Sequence, residues 1–281
     1  MPRLEPLLRA LVAPLAALVL LAAGWPVSAA PILLEDGVAF LEIDPESADG
    51  LTGWTLNGVA HLRTQSFWIG SGPGGEQALG AQPLLSATAT DATGDGRDET
   101  LALAYALGAG GRIDLRYALS GTAIGAPGDP ASDLTLDVTI AAGDAPLALR
   151  FFEYADVDLF NSFADDEALF SGTPISARVT DTSGLGSYAS RWSATPGAVE
   201  ASIYDALLAG LLDGEPTALS NAHAAAGDVT LGAFFEITLG AGDSIAFAQT
   251  QSLRVVPEPG TLLLLAAGIA GLVARRRELT R

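Results

Sequence analysis

Asp91-Ala92-Thr93-Gly94-Asp95-Gly96-Arg97-Asp98-Glu99 sets oxygen-bearing side chains at alternate positions around a glycine turn. That spacing suits a hard cation such as calcium, which is held by oxygen ligands. Asp91, Asp95 and Glu99 are the expected metal ligands, and calcium is the only cofactor the sequence suggests. An EF-hand loop would carry a carboxylate at its twelfth position, where Ala102 stands. The pattern is closer to the short Asp-rich turns of repeat β-proteins, with Glu99 closing the site. The same residues also read as a polar hairpin turn between strands near Leu85 and Leu101.

A second acidic group runs through Asp156, Asp158, Asp165, Asp166 and Glu167. Paired carboxylates roughly 5 to 10 Å apart can act as acid and base in glycoside hydrolysis. Asp156 and Asp158 are expected on one strand face, about 6.6–7 Å apart. That geometry also fits a bound cation, or a charged strand edge that discourages edge-to-edge pairing. His61 and His223 are the only histidines and cysteine is absent, so no zinc-ligand set exists. Ser66, Ser71 and Ser187 lack the Gly-x-Ser-x-Gly frame of a nucleophile elbow. Trp54, Phe67, Trp68, Tyr154, Tyr188 and Trp192 are candidates for a carbohydrate-stacking platform, although most aromatics of a β-sandwich fill its core. No catalytic set emerges, and the protein is expected not to be an enzyme.

The elements that must position these residues are read from period-two alternation. Ile113, Leu115, Tyr117 and Leu119 alternate with polar or small residues, as do Leu134, Leu136, Val138 and Ile140. Phe235, Ile237 and Leu239 do the same. Similar runs occur at 38–43, 85–90, 100–107, 147–156, 175–181 and 245–253. Each is expected to bury one face and wet the other. Gly- and Pro-rich turns separate them, as at Gly108-Ala109-Gly110-Gly111 and Gly240-Ala241-Gly242-Asp243. This predicts a mainly β fold, an antiparallel β-sandwich or larger two-sheet structure. No dinucleotide-type glycine loop is present, which argues against a Rossmann fold. One amphipathic helix is expected over Val199–Leu212, with Ile203, Leu207, Leu208, Leu211 and Leu212 at helical spacing, followed by a loop over 215–228.

Both ends of the chain read as export signals. Arg3 and Arg9 precede an apolar stretch from Ala10 to Gly24, and Val27-Ser28-Ala29 places small residues before a cut after Ala29. At the other end, Val256-Pro257-Glu258-Pro259-Gly260 leads into an uncharged run from Thr261 to Ala274, then Arg275, Arg276 and Arg277. At about 1.5 Å per residue that run reaches roughly 21 Å as a helix. A hydrocarbon core is about 30 Å thick, so the span is short and needs local thinning or arginines reaching for the interface. The arginines are expected to stay cytoplasmic, with the globular part outside.

Pro257-Glu258-Pro259, an apolar helix and terminal arginines together resemble the PEP-CTERM sorting signal of Gram-negative bacteria. The resemblance implies Sec export, recognition by the membrane enzyme exosortase and cutting near the Pro-Glu-Pro motif. It implies a bacterium that makes exopolysaccharide and biofilm. It assigns a sorting role to Pro257, Glu258, Pro259 and Arg275–Arg277, and no activity to the domain. More loosely, Trp54-Thr55-Leu56-Asn57-Gly58-Val59, Phe67-Trp68-Ile69-Gly70 and Phe152 through Leu159 resemble the β-rich domains of uncharacterised exported PEP-CTERM proteins. Tyr204-Asp205-Ala206-Leu207-Leu208 and Gly227-Asp228-Val229-Thr230 share that resemblance, which supplies no catalytic residue.

The expected organisation is a signal peptide over 1–29, a β-rich exported domain over 30–255 and a sorting segment over 256–281. The chain carries a formal charge of −19, and about −23 once the net +1 of the signal region and the net +3 of the last seven residues are set aside. Such a surface repels nucleic acid and anionic headgroups, and disfavours acidic polysaccharide unless divalent cations bridge. Cysteine is absent, so stability rests on packing. The expected destination is an inner-membrane intermediate, then the cell surface or medium after processing. The expected role is structural or interactive, in the cell surface or biofilm matrix, with an exopolysaccharide-binding module as the alternative.

Overall fold

Alternating side chains become strands because each buries one row of apolar groups while the ladder satisfies its backbone. In the computed structural model, which describes residues 30–123 and 129–256, eighteen strands result. The first nine are β1 (Ile32–Asp36), β2 (Ala39–Ile43), β3 (Leu51–Leu56), β4 (Val59–Leu62), β5 (Thr64–Gly70), β6 (Gln77–Ala78), β7 (Leu84–Thr90), β8 (Thr100–Ala106) and β9 (Arg112–Gly121). Then come β10 (Ala131–Ala141), β11 (Leu147–Val157), β12 (Asp166–Ser171), β13 (Ser176–Asp181) and β14 (Gly186–Trp192). The last are β15 (Ala198–Ile203), β16 (Ala224–Gly227), β17 (Val229–Leu239) and β18 (Ser244–Val255).

They form two sheets. The first runs β1-β2-β3-β5-β11-β17-β15, with β4 on β3 and β6 on β5. The second runs β16-β12-β13-β14-β18-β10-β9-β8-β7. The ladders between neighbouring strands are antiparallel, as in the β10–β18 and β11–β17 pairs. The expectation of a mainly β, two-sheet antiparallel structure with one helix is met. The core lies between the sheets, where Leu34, Leu41, Trp54, Leu101, Ile113, Leu134, Leu136, Phe151, Val179, Tyr188 and Val229 are buried.

Several polar groups inside this core are paired. The indole of Trp54 donates to Ser132 Oγ at 3.1 Å, and the hydroxyl of Tyr105 donates to the Pro45 carbonyl at 2.8 Å. Glu153, on the inner face of β11, accepts from Gln65 at 2.5 Å, Gln249 at 2.7 Å and the Trp192 indole at 2.7 Å. Burial raises its carboxyl above the ordinary range, against the pull of those three donors. This network ties the two sheets together from within, since Gln65 and Glu153 belong to the first and Gln249 and Trp192 to the second.

Two expectations change. The segment 199–212 is not one helix. Its first part is β15, where Val199 and Ala201 face inward between Glu200 and Ser202. The helix α1 (Ala206–Leu212) begins only after Asp205 at φ +69°. The apolar residues at 199 and 203 match a helical step, but Ile203 ends a strand and is 59% exposed. The expected loop over 215–228 contains β16, which pairs with β12. The second change concerns β11, expected to wet one face. Its outer residues Phe152 and Tyr154 are buried with Trp68 beneath Leu207 and Leu211 of α1, a second small core. Leu207 and Leu211 stand one helical turn apart and so cover one patch of sheet.

The turn between β1 and β2 needs glycine. Gly37 has φ +57°, and a Cβ there would meet the Thr122 carbonyl oxygen at 2.1 Å. Among the described residues no helix is long and apolar enough to cross a membrane. The expected signal helix with its cut after Ala29, the C-terminal transmembrane helix, Pro257, Glu258, Pro259 and Arg275–Arg277 lie outside the described residues.

Candidate functional site

The turn from Asp91 to Glu99 brings its three expected ligands together, with one carboxylate oxygen from each of Asp91, Asp95 and Glu99 within 4.8 Å of the others. These carboxylates also cap the loop itself. Asp91 accepts from the amides of Gly94 at 2.5 Å, Asp95 at 3.2 Å and Gly96 at 2.8 Å. Glu99 accepts from the Ala92 amide at 2.7 Å and the Thr93 hydroxyl at 2.8 Å. The Gly96 amide leads in holding the Asp91 carboxyl below its ordinary value. For Glu99 burial pushes the other way, and the bonds from Thr93 and Ala92 outweigh it. These bonds, with the Arg97 amide donating to Asp95 at 3.0 Å, hold the loop in shape.

The second acidic group behaves differently. Asp156 ends the outer row of β11, Asp158 follows it, and Asp228 stands between β16 and β17. One carboxylate oxygen from each lies within 4.8 Å of the others. Asp156 is 4% exposed and Asp158 6% exposed, and each keeps a buried oxygen with no hydrogen-bond partner. The nearest cation is Arg63, whose guanidinium reaches Asp158 at 3.9 Å from a largely exposed side chain. Burial first, then Asp158 and Asp228, pushes the Asp156 carboxyl up to about 7. Burial and Asp228 also raise Asp158, against Arg63. Asp166 is pushed by burial to about 7 and accepts the Leu159 amide at 3.1 Å. Of the expected acidic stretch, Asp165 and Asp166 are drawn in at the start of β12, and Glu167 stays exposed.

The remaining candidates are dispersed. His61 is buried, and His223 is exposed. Ser66 accepts the Trp68 indole at 2.9 Å. Among the described residues neither Ser66, Ser71 nor Ser187 hydrogen-bonds a histidine or a carboxylate. Trp54, Phe67, Trp68, Tyr154, Tyr188 and Trp192 are all buried, so they form no stacking platform. The reason is their register: each points between the sheets or under α1.

Sequence reasoning did not reveal the outer face of the second sheet. Two hollows of about 530 and 650 Å³ lie on it. Arg178, Arg191 and Arg254 line the first with Asp133, Thr135 and Thr250. Arg116, Asp114, Asp137 and Thr139 line the second. With Arg112, this face gathers five of the eight arginines of the described residues. Arg112 pairs with Asp114 at 2.5 Å and Arg254 with Asp133 at 2.7 Å. Arg116, Arg178 and Arg191 make no ion pair among the described residues and are exposed. Alternation placed Arg112 and Arg116 on an outer row. Only the strand order sets Arg191, Thr250 and Thr135 side by side across β14, β18 and β10.

A third hollow of about 660 Å³ is lined by Ile69–Gly70, Gly74–Gln77, Leu147–Leu149 and Gly214. Its one charged lining residue, Glu76, is fully engaged by Arg150 at 2.9 Å and by Thr217 at 2.7 Å.

Residues 255–277 match the model of the PEP-CTERM protein-sorting motif. The chain carries a PEP-CTERM sorting motif. The motif marks an exported protein processed by exosortase at the membrane. No curated protein matches the chain. In fold the chain is similar to a putative aldose 1-epimerase of Escherichia coli K12, with TM-score 0.51 and 11% identity over 81% of this chain and 99% of that one. It is similar to a GalM/aldose epimerase homologue of C. elegans, with TM-score 0.52 and 10% identity over 81% of this chain and 100% of that one. A bacterial glucoamylase crystallised with acarbose matches with TM-score 0.54 and 9% identity over 82% of this chain. The chain spans about a third of that enzyme, 32% of its length. These likenesses establish the two-sheet fold.

Proposed function

We propose that this is a surface or biofilm-matrix protein without enzymatic activity, whose β domain binds anionic polysaccharide on the arginine-bearing outer face of its second sheet. The observation that carries the reading is the gathering of Arg112, Arg116, Arg178, Arg191 and Arg254 on one hollowed face of a strongly acidic protein. A guanidinium offers a planar fork of donors that fits a carboxylate or sulfate at two points. Thr135, Thr139 and Thr250 add hydroxyls that both donate and accept, as sugar hydroxyls require. Open hollows suit an extended polymer. The carboxylates Asp114 and Asp133 are held by arginines, which leaves Arg116, Arg178 and Arg191 open to a ligand.

The overall negative charge disfavours such a ligand at long range. At physiological ionic strength, however, fields of exposed charges fade over about 8 Å, so the local arginines dominate at contact. The same fold occurs in an aldose 1-epimerase and in a glucoamylase crystallised with acarbose, which makes sugar the ligand class to test first.

The test is affinity electrophoresis through gels containing a polyuronate or a neutral glucan. Retardation by the polyuronate is expected, abolished in the Arg178→Ala/Arg191→Ala double variant and weakened in high salt. Equal retardation of the double variant, or none of the wild type by any acidic polymer, would overturn the reading.

A further inference from the structure

We propose that Asp156, Asp158 and Asp228 hold a divalent cation of the calcium class at the outer end of β11. Three carboxylates offer oxygens within 4.8 Å of one another, the separation expected of ligands to a single ion with bonds of about 2.3–2.6 Å. Carboxylates crowd together on many acidic surfaces without an ion, so the convergence alone decides nothing. Two further features point to a ligand.

The first is the state of the acids. Asp156 and Asp158 are almost wholly buried, and each leaves an oxygen without a donor. A buried anionic oxygen without a partner is among the most unfavourable groups a fold can contain. The second is Tyr154, two residues before Asp156 on the same outer row of β11. The residue is 2% exposed and its hydroxyl has no partner, and Asp156 is the charged group that acts on it most strongly. Two carboxylates and a phenol are thus buried with open valences at one end of one strand, beside a third carboxylate. Among the described residues Arg63 is the only counter-charge seen on them, and it pairs only with Asp158, at the limit of an ion pair.

The turn at Asp91–Glu99 is the informative contrast. Its carboxylates are capped by amides of their own loop, whereas those of the β11 end are not. A hard cation would take the free oxygens of Asp156, Asp158 and Asp228 and complete its shell with water through the partly open Asp228 side. The chain order supports a site built by the fold: β11 and β17 are paired with Asp156 opposite Thr230, which brings Asp228 alongside.

The experiment is calorimetric titration of calcium alone, and of magnesium alone, into the chelator-treated full chain, with thermal unfolding in parallel. Calcium is expected to bind with one equivalent in this site and to raise Tm. Asp228→Asn, at the least buried ligand, is expected to weaken binding at least about tenfold, because one formal charge leaves the shell. Asp158→Asn is expected to raise the Tm of the metal-free protein, since repulsion is relieved, while erasing the calcium-dependent rise. Asp91→Asn is expected to leave the response unchanged. No heat and no Tm shift in the wild type would overturn the proposal. So would a calcium response that survives Asp158→Asn and Asp228→Asn, or one that is lost in Asp91→Asn.

Discussion

His61 makes the stability of this protein depend on pH in a way that can be isolated. It lies on β4, 1% exposed, with its ring edge-on to Phe160 at 4.9 Å between centroids. Nδ1 accepts the Phe160 amide at 3.3 Å, and buried Nε2 has no partner. Burial therefore pulls its pKa from 6.5 to about 4, and the folded state holds it neutral. The unfolded chain binds a proton near pH 6.5, well before the folded chain does. Stability from this residue is present above pH 6.5 and is lost as pH falls toward 4. A displacement from 6.5 to about 4 corresponds to about 3 kcal/mol, most of which is gone by pH 4.

The perturbation is His61→Asn, which keeps an acceptor near the position of Nδ1 and removes the titration. Buried Asp156 and Asp166, both pushed up to about 7, act in the opposite sense: they stabilise the fold on acidification from pH 7 toward 4. Both are present in either protein, so they cancel in the difference. Urea unfolding at intervals from pH 7.5 to 4 should show the wild type losing about 3 kcal/mol relative to the variant. The size of the gap at neutral pH is immaterial; its change with pH is the measurement. Parallel stability curves would refute the claim that the fold holds His61 buried and neutral.

Three further outcomes are expected. Trp54→Ala should lower unfolding free energy by about 3–5 kcal/mol in urea titrations, because a fully buried indole is lost and the Ser132 hydroxyl oxygen it donated to is left without that donor. Gly37→Ala should destabilise the fold by at least about 1–2 kcal/mol, since it combines a left-handed backbone with a clash on the Thr122 carbonyl, read as a lower Tm. Mass spectrometry of the surface form should show a chain starting at Ala30 and ending near Pro257-Glu258-Pro259, and Glu258→Ala should leave Arg275–Arg277 attached in the membrane fraction.

Much of the fold was legible because alternation is local. Residues two apart share a strand face whatever else the chain does, so β9, β10 and β18 could be read directly. The segment 199–212 was misread because Val199, Ile203, Leu207 and Leu211 fit a four-residue step, and local spacing cannot say that β17 waits beside the first half. The aromatics were uninformative for a similar reason: exposure is a property of layers. Glu153 sits within an apolar run and gives no local sign of the Gln65, Gln249 and Trp192 donors that receive it.

By itself the sequence determined the route and the class of fold. The sorting motif and the period-two pattern are contiguous, and contiguous signals need no tertiary context. Net charge was also legible, and it argued against acidic ligands. Tertiary structure decided where that charge lies. Strands far apart in sequence were laid edge to edge, collecting Arg112, Arg116, Arg178, Arg191 and Arg254 on one face and leaving Asp156, Asp158 and Asp228 to meet at one strand end. Composition sums charges over the chain, whereas binding responds to the few within a Debye length, and only the pairing of strands sets which those are.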